Sequence, residues 1–323
     1  MVSSSGLDLP PTAILTGVTA SGKTAAALDF ARAHGAIEIV NADSLLVYRG
    51  MDIGTAKPAP AELREIPHHV IDLRDPSEPF TAGDFVREVE RALEDIHARG
   101  KRALLVGGTG FYLKALLYGL WEAPAADPAV RARLETESNP RLHEKLRASD
   151  EASALRIGPN DRYRLIRALE TLELSGQTPS ELEARQKARK KNEAFHLLVT
   201  DRENAELNRR IDLRTRAMLD AGLVEETRAL GGRFPDARAL GSVGYAETAA
   251  YLAGRRPRGR KIRAGLDGLA DEIGLSTRQL VKRQRTWFRG QFAARGDAET
   301  FTLDRDRASL QARLTEIYGA NGG

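Results

Sequence analysis

An α/β fold is predicted for this 323-residue chain: a parallel sheet wrapped by helices, interrupted by an all-helical insertion. Three observations predict it. Short β-branched runs alternate with helical stripes through the first 120 residues. From about Trp121 to Asn192 such runs vanish, and Arg, Glu, Leu and Ala dominate between breaks at Pro124, Pro140, Gly158, Pro159 and Gly176. One apolar run, FHLLV at 195–199, then returns and can rejoin the sheet. The expected division is therefore 1–120 plus 193–323 as a core, with 121–192 as the inserted helical domain.

Each element follows from its local pattern. TAIL at 12–15 reads as a strand and the Ala-rich stretch 24–33 as a helix, with GVTASGKT between them. IEIV at 37–40 is a second strand and HVIDL at 69–73 a third candidate. Thr81 and Asp84 form a capping signature ahead of Phe85, Val89, Leu93 and Ile96, a helical stripe that stops at Gly100. RALLV at 102–106 is a buried strand that runs into GGTG and a helix over 111–117. After 199 the chain reads as mostly helical to its end, with turns at Gly222, Gly231, Gly232, Gly241 and Gly254.

A content of 41% hydrophobic residues is enough for a large core, and the absence of cysteine excludes disulfide frameworks, thiolate zinc sites and cysteine nucleophiles. No apolar run is long enough to span a bilayer, and MVSSSGLDLPP lacks the pattern of a signal peptide, so no membrane and a cytoplasmic location are expected. The net charge of +4 is unevenly spread. Residues 251–295 carry twelve Lys or Arg against three acids, +9 locally, leaving −5 elsewhere. That asymmetry suits a surface facing a polyanion, and equally a solvated basic helix.

GVTASGKT at 17–24 fits G-x-x-x-x-G-K-[ST] at every fixed position, between a strand and a helix as that motif requires, so the sheet is expected to be P-loop NTPase-like. Backbone amides at the helix start would surround phosphate oxygens, with Lys23 adding charge and Thr24 a hydroxyl for Mg²⁺. Yet the strand ending at Val106 meets Gly107, Gly108 and Thr109, with no carboxylate where a nucleotide-hydrolysing P-loop protein holds its metal. The nearest strand-terminal acid is Asp43, which reads either as a base for an acceptor or as a turn-forming residue. His68 and His69 point to opposite faces of a strand and read as structural. Leu207, Ile211, Met218 and Leu219 read as a helix core face. Arg210 and Arg214, four apart, can reach phosphates together or lie in solvent. In STRQLVKRQRTWFRG the aromatics Trp287 and Phe288 sit among arginines, suiting either an unpaired RNA strand or docking, with Leu280, on the core.

The ordered set GVTASGKT, NADSLLVYRGMDIGTAKP, HHVIDL, GGTGFYLKALLYG, GPNDRYRLIRALE, LNRRIDLRTRAMLDAGLVEE, SVGYAE and STRQLVKRQRTWFRG resembles the tRNA dimethylallyltransferases, also called tRNA isopentenyltransferases, over nearly the whole chain. The resemblance implies transfer of a dimethylallyl group from dimethylallyl diphosphate to N6 of the adenosine 3′-adjacent to the anticodon in tRNA. It implies Asp43 as general base and Thr19 and Thr109 as contacts to the diphosphate or its bridging oxygen. Lys23 and Arg210, ahead of Arg214, would neutralise the leaving charge. Gly17, Thr19, Ala20, Ser21, Gly22, Lys23 and Thr24 would form the diphosphate cradle together with Arg214, and Thr24 would hold Mg²⁺. For the tRNA anticodon stem-loop the implied contacts are Asp43, Ser44, Leu45, Leu46, Gly244, Tyr245, Arg278, Lys282, Arg283, Gln284, Arg285, Trp287 and Arg289, with Arg164 and Arg167 on an insertion that clamps the anticodon arm. A monomer is expected.

Four positions depart from the family pattern: Val18 stands for proline, Leu46 and Tyr163 for glutamine, and Ala246 for lysine. Leu46 cannot hydrogen-bond a base edge. A P-loop small-molecule kinase, a prenyltransferase of free adenine nucleotides and a tRNA-binding relative with impaired catalysis are the competing readings.

Overall fold

The computed structural model describes residues 9–120, 123–255 and 263–319. Trp121, and Arg256, Arg258, Arg260 and Lys261 of the basic run, lie outside the described residues. The described residues divide into two compact units, residues 115–192 and the remainder.

The larger unit is built on a six-stranded sheet. Its elements begin with β1 (Thr12–Gly17), α1 (Lys23–His34), β2 (Ile37–Asn41), α2 (Pro60–Glu65), β3 (His68–His69), α3 (Ala82–Ala98), β4 (Arg102–Val106) and α4 (Gly110–Tyr118). Five further helices follow, α5 (Pro128–Glu135), α6 (Asn139–Ser149), α7 (Glu151–Arg156), α8 (Arg162–Ser175) and α9 (Pro179–Ala188). The chain then re-enters the sheet as β5 (Phe195–Asp201) and continues through α10 (Asn204–Asp220), α11 (Leu223–Arg233), α12 (Tyr245–Leu252), α13 (Gly265–Gln291), β6 (Ala298–Thr302) and α14 (Arg307–Gly319).

All strand pairs are parallel, in the order β3-β2-β4-β1-β5-β6. Ile14 of β1 lies opposite both Leu105 and Leu197, so the first strand is central and buried on both faces. The order reverses beside β1, which brings the loops after β1, β2, β4 and β5 to one crevice at the carboxyl ends of the strands. One face packs Leu15, Phe30, Ile39, Leu104 and Leu198 with Leu310 and Leu314 of α14. Each such side chain contributes about 1.5–3 kcal/mol by leaving water. Met51, Met218, Leu223, Tyr245, Leu269 and Ile273 form a second cluster.

In the smaller unit, Leu134, Leu142, Leu146, Leu165 and Leu169 make an all-helical core. The Glu170 carboxylate is buried within it. Although burial opposes ionisation, hydrogen bonds from Arg131, Arg167 and the Asp127 amide hold its pKa below the usual range.

One expectation is corrected. The strand expected over 69–73 ends at His69, because Val70 and Asp72 take φ of 60° and 54°; the amides of Asp72 and Leu73 bond instead to Leu46 and Val47 carbonyls. The C-terminal region is mostly helical, with one strand not anticipated: β6 adds an edge strand alongside β5. On α13 the apolar row is Leu269, Ile273, Val281 and Phe288, with Val281 buried in place of Leu280. His69 bonds to buried Glu38, and His68 to the Ile66 carbonyl. No described helix is long and apolar enough to cross a membrane.

Candidate active site

The loop between β1 and α1 has its carbonyls held from outside. Arg210 Nε donates to Ala20 O at 2.9 Å and Arg202 Nε to Ser21 O at 2.6 Å. Ser21 Oγ lies 2.8 Å from Thr200 Oγ1, which donates to Thr16 O. Ala20 and Gly22 both have positive φ, 65° and 96°, so successive peptide units alternate in direction. At Gly17 a Cβ would fall 2.1 Å from Thr200 O, which only glycine avoids. With these carbonyls turned outward, the first-turn amides of α1, which have no intrahelical acceptor, are available to an anion.

Cations converge on the same loop. Lys23 Nζ donates to Val18 O at 3.3 Å, and desolvation pushes its pKa down to about 8, with Asp43 opposing the fall and Arg214 adding to it. Burial also lowers Arg214, again opposed by Asp43. A Cβ on Gly22 would lie 3.2 Å from Arg202 Nη2 and 3.4 Å from Arg210 Nη2. These like charges outnumber the acids facing them, so the arrangement suits a multivalent anion.

Asp43 follows β2. Its Oδ1 accepts the Leu45 amide at 3.0 Å, and its backbone is clasped by Asn41 through two 2.9 Å hydrogen bonds. The turn-forming and chemical readings of this residue are therefore compatible. One oxygen holds the turn, and Oδ2 accepts nothing from the described residues. Thr109, after β4, receives the Ser44 amide at 2.9 Å and donates to Ser44 Oγ at 3.2 Å, tying the β4 loop to the Asp43 loop.

The rest of that loop is anchored at two points. Lys57 Nζ reaches Tyr48 O, Asp52 and Asp72 at 3.0, 2.5 and 2.6 Å. Glu226 accepts the amides of Asp52, Ile53 and Gly54 and the hydroxyl of Tyr245. Arg214 adds a contact to Thr55 O at 3.3 Å.

The residues expected at the RNA divide in several ways. Tyr245 is fully buried, a correction: its ring presses on Gly54, where a Cβ would lie 2.4 Å away, and burial together with Glu226 pushes the phenol pKa up. Gly244 caps α12 with φ of 99°. Leu45 packs on the Met51 cluster, while Ser44 and Leu46 are half-buried. Arg278 pairs with Asn208 and Asp212, and Arg285 is bidentate to Asp201. Lys282, Arg283 and Arg289 are exposed with no ion pair among the described residues. Gln284 turns inward to accept the Thr19 amide at 2.8 Å. Trp287 lies on Gly110, where a Cβ would be 2.3 Å from the indole nitrogen. In the smaller unit Arg164 is 68% exposed, whereas Arg167 is committed to Glu170 and to Pro124 O.

Arg202 and Glu226 were not among the expected site residues. A signal for Arg202 existed, since it directly follows a strand that feeds the crevice. Among the described residues no cluster of three or more His, Asp or Glu could hold a metal.

The family model described as IPP transferase matches residues 46–291. A protein named tRNA dimethylallyltransferase from Geobacter sulfurreducens is 44% identical over 282 residues, covering 85% of this chain and 88% of that protein. One of the same name from Polaromonas sp. is 44% identical over 308 residues, covering 91% of each. The full-length tRNA isopentenylpyrophosphate transferase from Bacillus halodurans superposes with a TM-score of 0.65 at 31% identity, covering 96% of this chain and 97% of that one. A eukaryotic dimethylallyltransferase acting on tRNA gives a TM-score of 0.78 at 26% identity, covering 96% and 79%.

Proposed function

The chain belongs to the tRNA dimethylallyltransferase family, and from that membership we propose how its site transfers a dimethylallyl group from dimethylallyl diphosphate to N6 of the adenosine 3′-adjacent to the anticodon in tRNA. The observation that carries the residue assignments is the open Oδ2 of Asp43, on a carboxylate electrostatically coupled to Lys23 and Arg214.

The diphosphate sits on the amides of Ala20, Gly22, Lys23 and Thr24, with Lys23, Arg210 and Arg214 around it, while the buried Ser21 amide stays on the Val18 carbonyl. N6 attacks the allylic C1, the C1–O bond breaks, and its electron pair leaves with the diphosphate. The N6 proton passes to Asp43 Oδ2. Thr19 and Thr109 line the bridging-oxygen side. Neutralisation of the leaving oxygens and orientation supply most of the rate, and the base about 10²–10⁴-fold. The target adenine must leave its stack to reach this crevice, and water must be kept out. The exposed Lys282, Arg283 and Arg289 supply phosphate contacts to the tRNA, and the smaller unit, with Arg164, grips the anticodon arm.

Mg²⁺ fits this donor set. Thr24 offers an exposed hydroxyl on the first turn of α1, and a small hard cation that keeps its waters and takes substrate phosphate oxygens needs no carboxylate cage. When bound it would neutralise the leaving diphosphate.

The test is incubation of the protein with Mg²⁺, labelled dimethylallyl diphosphate and unmodified tRNA, followed by nucleoside mass spectrometry. N6-dimethylallyladenosine beside the anticodon is expected. Asp43→Ala should lower turnover 10²–10⁴-fold; full activity in that variant would refute the assignment of the base.

A further inference from the structure

We propose that Gln284 belongs to the diphosphate end of the site, holding Thr19 through its carboxamide oxygen and offering its amide N–H to the leaving group beside Lys23. The inference rests on the function proposed above and assigns to this chemistry a residue whose sequence context, between Arg283 and Arg285, points to RNA.

The helix itself separates the two roles. On α13, Lys282, Arg283 and Arg289 are exposed, while Val281 and Phe288 are buried. Gln284 stands three residues after Val281 and four before Phe288, so it shares the inward row and not the solvent face. Its Oε1 accepts the Thr19 amide at 2.8 Å. A backbone N–H can only donate, so the carboxamide orientation is fixed and Nε2 is the free end.

That end lies in a defined place. A Cβ built on Gly108 would be 3.3 Å from Gln284 Nε2 and 3.6 Å from Lys23 Nζ. Two donors therefore border one small volume beyond the end of β4, which glycine at 108 leaves open, with the Gly17 carbonyl oxygen 3.3 Å from the same point on its other side. Nε2 donates to no residue among those described. Charge explains why an amide suits the spot. Lys23 already has the like-charged Arg214 as a neighbour, and Arg202 and Arg210 lie beside Gly22, so another cation would add repulsion, whereas a carboxamide adds a hydrogen bond without charge. The Oε1 contact also fixes the Thr19 backbone, and with it the side chain facing the bridging oxygen.

Pyrophosphate with Mg²⁺ and unmodified tRNA are the two probes, titrated separately into the full chain by calorimetry and fluorescence anisotropy at fixed salt. Gln284→Glu keeps an acceptor for Thr19 but replaces the donor with negative charge. A pyrophosphate Kd raised at least tenfold, a raised KM for dimethylallyl diphosphate and a tRNA Kd within twofold of the parent are expected. An unchanged pyrophosphate Kd, with or without weaker tRNA binding, would overturn the proposal. Gln284→Met, which adds no charge, carries the same readouts if the glutamate variant does not fold, with a several-fold rise expected. Failure of the parent protein to bind pyrophosphate would instead count against the underlying function, so the two are separable.

Discussion

Arg202 Nη1 donates to Asp304 Oδ1 at 2.6 Å, which joins the turn after β6 to the residue that holds the phosphate loop. Asp304 also accepts the Glu203 amide at 2.7 Å, so it fixes Arg202 from both sides. Arg202 in turn restrains Ser21 O. The side chains are only 14% and 23% exposed, so breaking the pair leaves a poorly solvated guanidinium. Asp304→Ala should cost about 1–3 kcal/mol of stability, read by denaturant unfolding. It should also raise the KM for dimethylallyl diphosphate several-fold with a smaller change in kcat, because the loop loses order while the base is untouched. An unaltered KM would show that the brace does not reach the loop.

Lys23 sets a pH dependence. Its folded pKa of about 8 lies below the 10.5 of an unfolded lysine, so between those values the unfolded state binds more protons and stability rises with pH. Ligand affinity runs the other way. A bound diphosphate favours the ammonium form, so proton uptake accompanies binding near pH 8 and affinity falls as pH climbs past it. Calorimetry of pyrophosphate binding in two buffers of different ionisation enthalpy should detect the uptake. Lys23→Met should remove that component, and uptake identical in both proteins would assign it elsewhere.

The Glu226 anchor predicts a split between stability and RNA affinity. Tyr245→Phe removes one buried hydrogen bond and should cost about 1 kcal/mol. Because the ring is buried, tRNA affinity should stay within twofold. Glu226→Ala strands three loop amides as well and should destabilise by about 3 kcal/mol while lowering kcat, since the same loop carries Asp43. Thermal melts and single-turnover rates on both variants measure this. A large loss of tRNA affinity in Tyr245→Phe would mean that the ring turns outward.

The parts legible in the sequence were those whose causes are local. NADS encodes the Asn41 and Asp43 turn, Thr81 and Asp84 encode a cap that the structure forms in full, and the phosphate loop announces itself by spacing. What supports these parts was not legible, because the partners are distant in the chain. Arg202 meets Ser21 across 181 positions and Glu226 meets Asp52 across 174. No periodicity links such pairs. Hydrophobic pattern also carries no information on φ, so HVIDL reads as a strand although two of its residues turn left-handed. Residues 298–302 escaped for the opposite reason: an edge strand with half-exposed side chains need not alternate cleanly.

The contact between Gly110 and Trp287 gives the last prediction. A Cβ at 110 would lie 2.3 Å from the indole Nε1 and 2.4 Å from Cδ1, closer than any real contact, so Gly110→Ala must displace the ring or the start of α4. Thr109 immediately precedes that helix and holds Ser44, so the shift should reach the Asp43 loop. A fall of 10-fold or more in kcat is expected, whereas Gly158→Ala, with nothing within 4 Å, should leave kcat unchanged. Trp287→Ala removes the clashing ring. Its combination with Gly110→Ala should therefore be less damaging than the two single effects multiplied, a coupling that a double-mutant cycle on kcat reads directly. Strictly multiplicative effects would mean that the ring and the glycine act independently.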